Sequence, residues 1–294
     1  MLGLALLFLI ALALIVLIGS AVTVWVIVRP RRKTYALALA RGLPTDPADL
    51  ALSATEATFS LPGGHTSPGW IIAGKQPTGP TVLVLHGHGD ARFGALRFAE
   101  QLAPYAGHLV VFDWPAHGDC TAPWMTCGKR EPDDAIAVLD GLPDAVRNKP
   151  VVLFGYSLGG QIAIKAAGLY PDRFRGVIAD GPYRRWDSPV RQRLRHHVAP
   201  AWLFMPLVAA VFHITGLIKH FDRAAFAKQI SSTLLVLHGT ADRVCPIEEG
   251  KQLAEAAPQG TFVAINEGQH NRLYLQDPEV YHAALRSFFS TVRN

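Results

Sequence analysis

Cysteine, metal-ligand patterns and internal repeats are scarce or absent in this chain of 294 residues. Its three cysteines lack the spacing of a zinc site and stand at Cys120, Cys127 and Cys245. Neither His196-His197 nor Glu248-Glu249 places ligands on one helical face, so we predict no metal site and no cofactor. Cys120 and Cys127 could pair in an oxidising compartment, whereas a cytoplasmic domain would keep them reduced.

Charged side chains are missing from residues 2–28, which are almost entirely apolar. At about 1.5 Å per residue, a helix over this segment crosses a hydrocarbon core of about 30 Å. A removed secretory signal is the alternative, but the segment has no basic start, its apolar run is long, and Gly19-Ser20-Ala21 is a poor cleavage site. We therefore predict a transmembrane anchor with a basic flank over residues 1–33.

Acidic side chains are also missing from residues 1–33, where four cations follow the apolar segment: Arg29, Arg31, Arg32 and Lys33. The positive-inside rule then places the following domain in the cytoplasm, and we expect the same cluster to hold anionic lipid headgroups. The whole chain has 28 basic and 23 acidic residues, so residues 34–294 have 24 basic residues and 23 acidic ones. The domain is nearly neutral, so the composition gives no support to nucleic-acid binding.

Beyond a connector over residues 34–56, short apolar strands alternate with helical segments. This alternation predicts a mostly parallel, doubly wound α/β sheet over residues 57–294. After an opening hairpin, the predicted strands lie near residues 81–85, 109–112, 151–154, 176–179, 233–237 and 261–265. Residues 182–231 form an interval too long for an ordinary connection, and we interpret them as a helical lid.

Ser157 lies in the sequence Gly155-Tyr156-Ser157-Leu158-Gly159, directly after the apolar run of residues 151–154. A strand that enters a sharp turn with flanking glycines lifts a nucleophile clear of a sheet. The predicted helix over residues 160–170 follows, and its N-terminus favours developing negative charge. The pattern indicates a nucleophilic serine.

Four other motifs accompany this turn in chain order: His86-Gly87-His88-Gly89, Asp113-Trp114-Pro115-Ala116-His117-Gly118, His238-Gly239-Thr240-Ala241-Asp242 and Gly268-Gln269-His270-Asn271. With them the chain resembles an α/β-hydrolase over roughly residues 57–290. It is most similar to membrane-anchored serine hydrolases of the Bem46-like, α/β-hydrolase-domain type. The resemblance implies a triad of Ser157 as nucleophile, His270 as base and Asp242 as the acid that orients the base. It assigns the oxyanion hole to the backbone N–H groups of His88 and Leu158.

Several of these assignments have alternatives. Asp180 also ends a predicted strand and is a second candidate for the acid. The histidines beside glycines at strand ends fit loop-bracing hydrogen bonds better than base catalysis: His86, His117 and His238. Tyr156 fits packing better than chemistry, but it joins three lid residues in the candidate substrate-binding set, which is Tyr156, Trp202, Phe204 and Met205.

The predicted lid has a basic part, residues 184–197, and an apolar part, residues 198–218. A second membrane span there would put Ser157 on the opposite side of the bilayer from Asp242 and His270, so we reject it. The apolar part then packs on the hydrolase core, or it also enters the bilayer surface.

We predict a membrane-anchored serine hydrolase that cleaves a carboxylic ester or thioester through an acyl-enzyme. Its expected partners are the lipid bilayer and a lipid-like or acylated substrate, and we expect no nucleic acid. A serine peptidase, a small-ester esterase and a catalytically silent membrane-tethered scaffold remain as alternatives.

Overall fold

The computed structural model describes residues 1–196, 200–218 and 221–292, so His197 and Val198 of the predicted lid lie outside the described residues. Within these ranges the strands are β1 Ala54–Leu61, β2 His65–Ala73, β3 Thr81–Leu85, β4 His108–Phe112, β5 Val151–Tyr156, β6 Gly176–Asp180, β7 Thr233–Gly239 and β8 Gly260–Ile265. The helices up to the lid are α1 Leu2–Val28, α2 Tyr35–Ala40, α3 Arg92–Leu102, α4 Glu131–Asp140, α5 Asp144–Arg147 and α6 Leu158–Leu169. The later helices are α7 Asp187–His196, α8 Ala201–Ile214, α9 Arg223–Ala227, α10 Ile247–Ala256, α11 Leu273–Gln276 and α12 Pro278–Val292.

The strands form one sheet in the order β1-β2-β4-β3-β5-β6-β7-β8. The β1–β2 and β2–β4 pairs are antiparallel, whereas every pair from β4 to β8 is parallel. The predicted α/β-hydrolase fold, with an opening hairpin and a mostly parallel sheet, is confirmed. The parallel strands all end at one edge, which collects the loops that follow them.

Two apolar layers bury the central strands from both faces. Side chains of β3 and β5 alternate between the layers because successive residues of a strand point to opposite faces. Leu83 and Leu153 enter one layer, and Val82 and Val152 enter the other. Strands covered on both sides need no polar face, which explains the continuous apolar runs in the sequence.

Helix α1 contacts the domain along one face of its C-terminal half. Residues 2–15 are exposed on all sides. The less exposed positions recur every three or four residues, as one helical face requires: Val16, Gly19, Ser20, Thr23, Val24 and Ile27. Among the described residues, α1 is the helix long and apolar enough to cross a membrane, a pattern that anchors and signal sequences share.

Lid helix α8 packs along this face of α1. The Ser20 hydroxyl donates a hydrogen bond to the Phe204 carbonyl at 3.3 Å. The Phe204 ring lies so close to Gly19 that a Cβ atom there would stand 2.4 Å from it. The inner face of α8 buries Met205, Val208 and Phe212, and the opposite face exposes the mostly apolar set of Trp202, Pro206, Ala210, His213 and Ile214. The exposed apolar surface of α8 thus adjoins that of α1.

Only two of the four basic side chains that follow α1 are exposed, whereas the sequence analysis expected the whole cluster to bind lipid headgroups. Arg29 and Arg31 are exposed, but Arg32 is partly buried and donates to carbonyl groups of residues 117–122. Lys33 is buried in an ion pair with Asp90. Two of the four cations therefore serve the domain rather than lipid headgroups.

The lid is fastened to the domain at both ends. At its start, the buried Glu249 accepts hydrogen bonds from the backbone N–H groups of Arg184 and Arg185 and from the Ser188 hydroxyl. At its end, the buried guanidinium of Arg223 donates to Gln161 of α6. The basic part of the lid is also partly neutralised, because Arg184 pairs with Asp222 and both Arg185 and Arg191 pair with Asp187.

Candidate active site

Ser157 occupies a strained turn between β5 and α6. Its φ of 54° and ψ of −117° lie in a region that residues with a side chain rarely adopt. The turn is tight enough that a Cβ atom at Gly155 would stand 2.3 Å from the backbone of Gly159, and one at Gly159 would stand 1.9 Å from the Leu85 carbonyl. Helix α6 begins at Leu158 rather than at residue 160, which places the Leu158 N–H in the first turn, where helices leave N–H groups unpaired.

Ser157, His270 and Asp242 form one hydrogen-bonded series, although they come from loops far apart in the chain. The Asp242 Oδ2 atom lies 2.7 Å from His270 Nδ1 and accepts its proton. The other ring nitrogen, Nε2, lies 2.9 Å from Ser157 Oγ and is left as the acceptor of the hydroxyl proton. The structure thus brings together the three side chains that the sequence analysis selected.

Asp242 lies in surroundings that keep its carboxylate ionised. Burial alone would raise the pKa of Asp242, but hydrogen bonds from His238 and His270, the charge of His270 and the Cys245 N–H hold that pKa well below its ordinary value. The second oxygen accepts the N–H groups of Val244 and Cys245 at 2.7 and 2.9 Å. The sequence analysis missed this contribution of His238, whose Nε2 lies 3.0 Å from the Cys245 carbonyl and 3.4 Å from Asp242 Oδ2.

Asp180, the alternative acid, lies in a different setting. Its carboxylate accepts the hydroxyl proton of Tyr281 at 3.1 Å and is fully buried at the end of β6. Burial raises the pKa of Asp180 to about 6, an effect that the Tyr281 hydrogen bond and the charge of His270 only partly offset. His270 Nδ1 bonds Asp242, whereas the carboxylate of Asp180 bonds Tyr281, so the geometry favours Asp242.

The loop after β3 lies against the nucleophile and carries His88. A Cβ atom at Gly87 would stand 3.4 Å from the Ser157 Cβ atom, so residues 86–90, which we call the oxyanion loop, border the site. The buried ring of His86 accepts the Trp114 N–H at 3.0 Å, and the buried ring of His117 accepts the Gly89 N–H at 3.0 Å. Burial lowers the pKa of both rings, which keeps these loop-bracing histidines neutral.

The structure places the four residues of the candidate substrate-binding set in different surroundings. Tyr156 is fully buried, stacks on Phe98 and donates its hydroxyl proton to Asp90 at 2.7 Å, so it packs in the core. Trp202 is 74% exposed, on the outer face of α8. Phe204 contacts α1 instead of a pocket. Met205 is the member of the set that lies buried beneath α8, on the face turned to the domain.

A metal site is not favoured at these residues. Among the residues that the structure describes, the group with metal-binding distances is Asp242, Cys245 and His270, whose ligand atoms lie within 4.8 Å of one another. Asp242 and His270 already bind each other, and burial raises the pKa of the Cys245 thiol well above its ordinary value. A thiol that keeps its proton is a poor metal ligand.

Comparisons with known proteins agree with this architecture. Residues 80–202 match the family model described as the alpha/beta hydrolase fold. The solved structure of the esterase Pf2001 from Pyrococcus furiosus superimposes with a TM-score of 0.68 and 21% identity, over 83% of this chain and 95% of that one. The chain has the α/β-hydrolase fold.

Three further proteins of similar sequence or fold extend the comparison. The lysophosphatidylserine lipase ABHD12 of Gallus gallus is 28% identical over 64% of this chain and 50% of its own, so the chain spans about half of that relative. The Bacillus subtilis protein YqkD is 22% identical over 81% of each chain. A solved membrane phospholipase A, described as a bacterial virulence factor, aligns over 100% of this chain and 98% of its own with a TM-score of 0.62 and 21% identity. The prediction of a hydrolytic enzyme agrees with these esterase and lipase relatives.

The close approach of Gly159 to the Leu85 carbonyl yields a stability prediction. We expect Gly159→Ala to lower the free energy of unfolding by about 1–3 kcal/mol, because the new methyl group cannot fit beside a backbone carbonyl. Gly141→Ala is the matched control, since its Cβ atom would meet the nearest atom at an ordinary 3.4 Å. Denaturant unfolding in detergent measures both variants, and equal stabilities would contradict the expectation.

Proposed function

We propose that the chain is a membrane-anchored serine hydrolase that cleaves the carboxylic ester or thioester of a lipid-like substrate. The observation that carries the proposal is the hydrogen-bonded series from Ser157 Oγ through His270 to Asp242. A serine hydroxyl is a weak nucleophile unless a neighbouring base removes its proton as it attacks. His270 is placed to be that base. Asp242 accepts the proton on His270 Nδ1, so the lone pair of Nε2 points to Ser157.

The proposed reaction has two halves. Ser157 Oγ attacks the carbonyl carbon of the substrate while its proton passes to His270 Nε2, and the carbonyl oxygen takes the negative charge. That oxyanion faces two backbone N–H groups, one from His88 in the oxyanion loop and one from Leu158 at the N-terminus of α6. Collapse of this tetrahedral intermediate then breaks the bond to the leaving group. The leaving alcohol or thiol takes the proton from His270, and Ser157 is left acylated. A water molecule, deprotonated by His270, then releases the acid in the same way.

The proposal of an anchor rather than a removed signal rests on how α1 meets the domain. Cleavage near Gly19-Ser20-Ala21 would strip away the surface that the Phe204 ring covers. It would also remove the hydroxyl of Ser20, which is buried against α8. The exposed Arg29 and Arg31 beside the helix support a cytoplasmic position for the domain under the positive-inside rule.

The position of α8 on α1 implies that the lid shares the membrane with the anchor. A span of about 20 residues that ends just before Arg29 includes Val16 to Val24, the stretch that packs on α8. Leaving α8 in water would also leave this uncharged half of α1 outside the hydrocarbon. Insertion instead gives the exposed apolar face of α8, which includes Trp202 and Ile214, a nonpolar environment.

An aromatic pair marks the level of the bilayer surface. Trp25 of α1 and Trp124 meet edge to face with ring centroids 5.4 Å apart, and Arg29 lies 5.2 Å above each ring. Both tryptophans are partly exposed, as is typical of side chains at headgroup level. This level adjoins the oxyanion loop, because His88 contacts Ile27, two residues beyond Trp25. A substrate leaving the bilayer would therefore reach Ser157 over a short path, which supports a lipid-like acyl substrate.

The first test measures hydrolysis of p-nitrophenyl esters of increasing acyl length by the detergent-solubilised protein and by Ser157→Ala. We expect turnover that rises with chain length and is lost in the variant, because Ser157 supplies the nucleophile. Turnover confined to short chains would keep the serine mechanism and reject the lipid-like substrate. Equal turnover in the variant would reject the serine mechanism itself.

The second test separates the two candidate acids. We expect Asp242→Asn to lower kcat by about 10⁴-fold, the loss measured when the carboxylate behind a catalytic histidine becomes an amide. Asp180→Asn, a matched change at a buried carboxyl group, should keep kcat within a few-fold because Asp180 bonds Tyr281. The reverse order of the two losses would assign the orienting role to Asp180.

The third test concerns the inserted face of α8. Trp202→Asp places a charge at hydrocarbon depth, at a cost of about 3 kcal/mol, so hydrolysis of a long-chain ester within vesicles should fall several-fold. Hydrolysis of a soluble butyrate ester in detergent should not change. Leu169→Asp is the control, since Leu169 is an exposed apolar residue at the far end of α6. Equal vesicle activity in both variants would place α8 outside the bilayer.

A further inference from the structure

We propose that Ile27, Arg32 and Lys33, at and just after the C-terminal end of α1, position the oxyanion loop, so that catalysis requires the membrane helix to be seated on the domain. We call residues 27–33 the seat segment. The inference rests on the proposed function, because it concerns the loop that carries the His88 N–H of the proposed oxyanion hole. It assigns positioning residues that lie in the anchor rather than in the hydrolase domain.

The seat segment touches the oxyanion loop directly at two points. The Nε2 atom of His88 lies 2.9 Å from the Ile27 carbonyl, to which it donates its proton. Two residues along the loop, Asp90 pairs with Lys33 in a buried contact. Asp90 also accepts the Tyr156 hydroxyl proton at 2.7 Å, which joins the seat segment to the residue before the nucleophile.

Between these two points, Gly89 is held through a second loop. The Gly89 N–H donates to His117 Nε2 at 3.0 Å. His117 belongs to the loop of residues 117–122, which Arg32 binds. The Arg32 guanidinium donates to the carbonyls of Gly118, Cys120 and Ala122 at 3.0, 2.6 and 3.0 Å. Three successive residues, His88, Gly89 and Asp90, thus depend on the seat segment for their position.

The contacts between the seat segment and the two loops are suited to fixing the position of the oxyanion loop, and not only to attaching α1 to the domain. Backbone carbonyls are permanent acceptors that do not titrate, and a planar guanidinium with several donors fixes their mutual geometry. An oxyanion hole acts through donors that are already in place, and a displacement of about 1 Å can cost about 10²-fold in rate. Residues that hold the His88 backbone in register are therefore expected to act on kcat.

The test compares Arg32→Ala with Arg31→Ala in the full-length protein in detergent micelles, with p-nitrophenyl butyrate as substrate. Arg31 belongs to the same cationic cluster and is exposed, so the control removes the same charge without the loop contacts. We expect Arg32→Ala to lower kcat at least about tenfold with little change in KM. The affinity for butylboronic acid, whose adduct with Ser157 mimics the tetrahedral intermediate, should fall in parallel. Arg31→Ala should match the wild type in all three values.

A second pair of variants applies whether or not Arg32→Ala folds. Both His88→Gln and His88→Leu remove the imidazole, but the glutamine amide can still donate to the Ile27 carbonyl. We expect His88→Gln to keep several-fold more kcat and boronic acid affinity than His88→Leu, at similar thermal stability. Free guanidinium at millimolar concentration should also restore activity to Arg32→Ala and leave Arg31→Ala unchanged.

The outcomes separate this inference from the proposed function. If the wild type is active, Ser157→Ala is inactive, and the two members of each pair behave alike, the seat segment has no positioning role and the inference is overturned. If Ser157→Ala retains the wild-type activity, the serine hydrolase proposal fails first. A loss confined to KM would show that the segment affects substrate access and would also overturn the inference.

Discussion

The contact between Gly159 and the Leu85 carbonyl is the constraint on which the rest of the site depends. It lets the start of α6 approach the end of β3 with no side chain between them. The turn at Ser157 is strained, and such strain persists when the packing around it allows no other conformation. Because β5 and α6 are buried along nearly their whole length, the sheet fixes the turn. The packing of the backbone therefore places Ser157 next to the oxyanion loop.

The sheet brings the remaining groups to the same edge. Asp242 follows β7 and His270 follows β8, and parallel neighbouring strands deliver the loops after them to one place. For this reason the apolar runs of the sequence sufficed to predict the fold, whereas the choice of Ser157, His270 and Asp242 rested on the resemblance of their loops to α/β-hydrolase motifs. Strand ends alone left Asp180 open as a second acid, because it too stands at the end of an apolar run.

What the sequence could not predict is which partner a side chain takes when several are in reach. Arg32 and Lys33 have the pattern of cations that flank a membrane helix, yet they bind loop carbonyls and Asp90. Phe204 belongs to the candidate substrate-binding set, yet its ring lies against Gly19 of α1. The contact of α8 with α1 joins segments 184 positions apart, and no local periodicity carries that information.

Helix α1 and the segment of residues 182–231 are joined by contacts with each other and with the domain. Glu249 holds the start of the lid and Arg223 holds its end, both through buried contacts with the domain. Helix α8 cannot leave the domain without either breaking the contact of Phe204 with Gly19 and Ser20 or carrying α1 along. Since α1 also reaches His88 through Ile27, a tilt of α1 relative to the domain would displace α8 and the loop of residues 86–90 together.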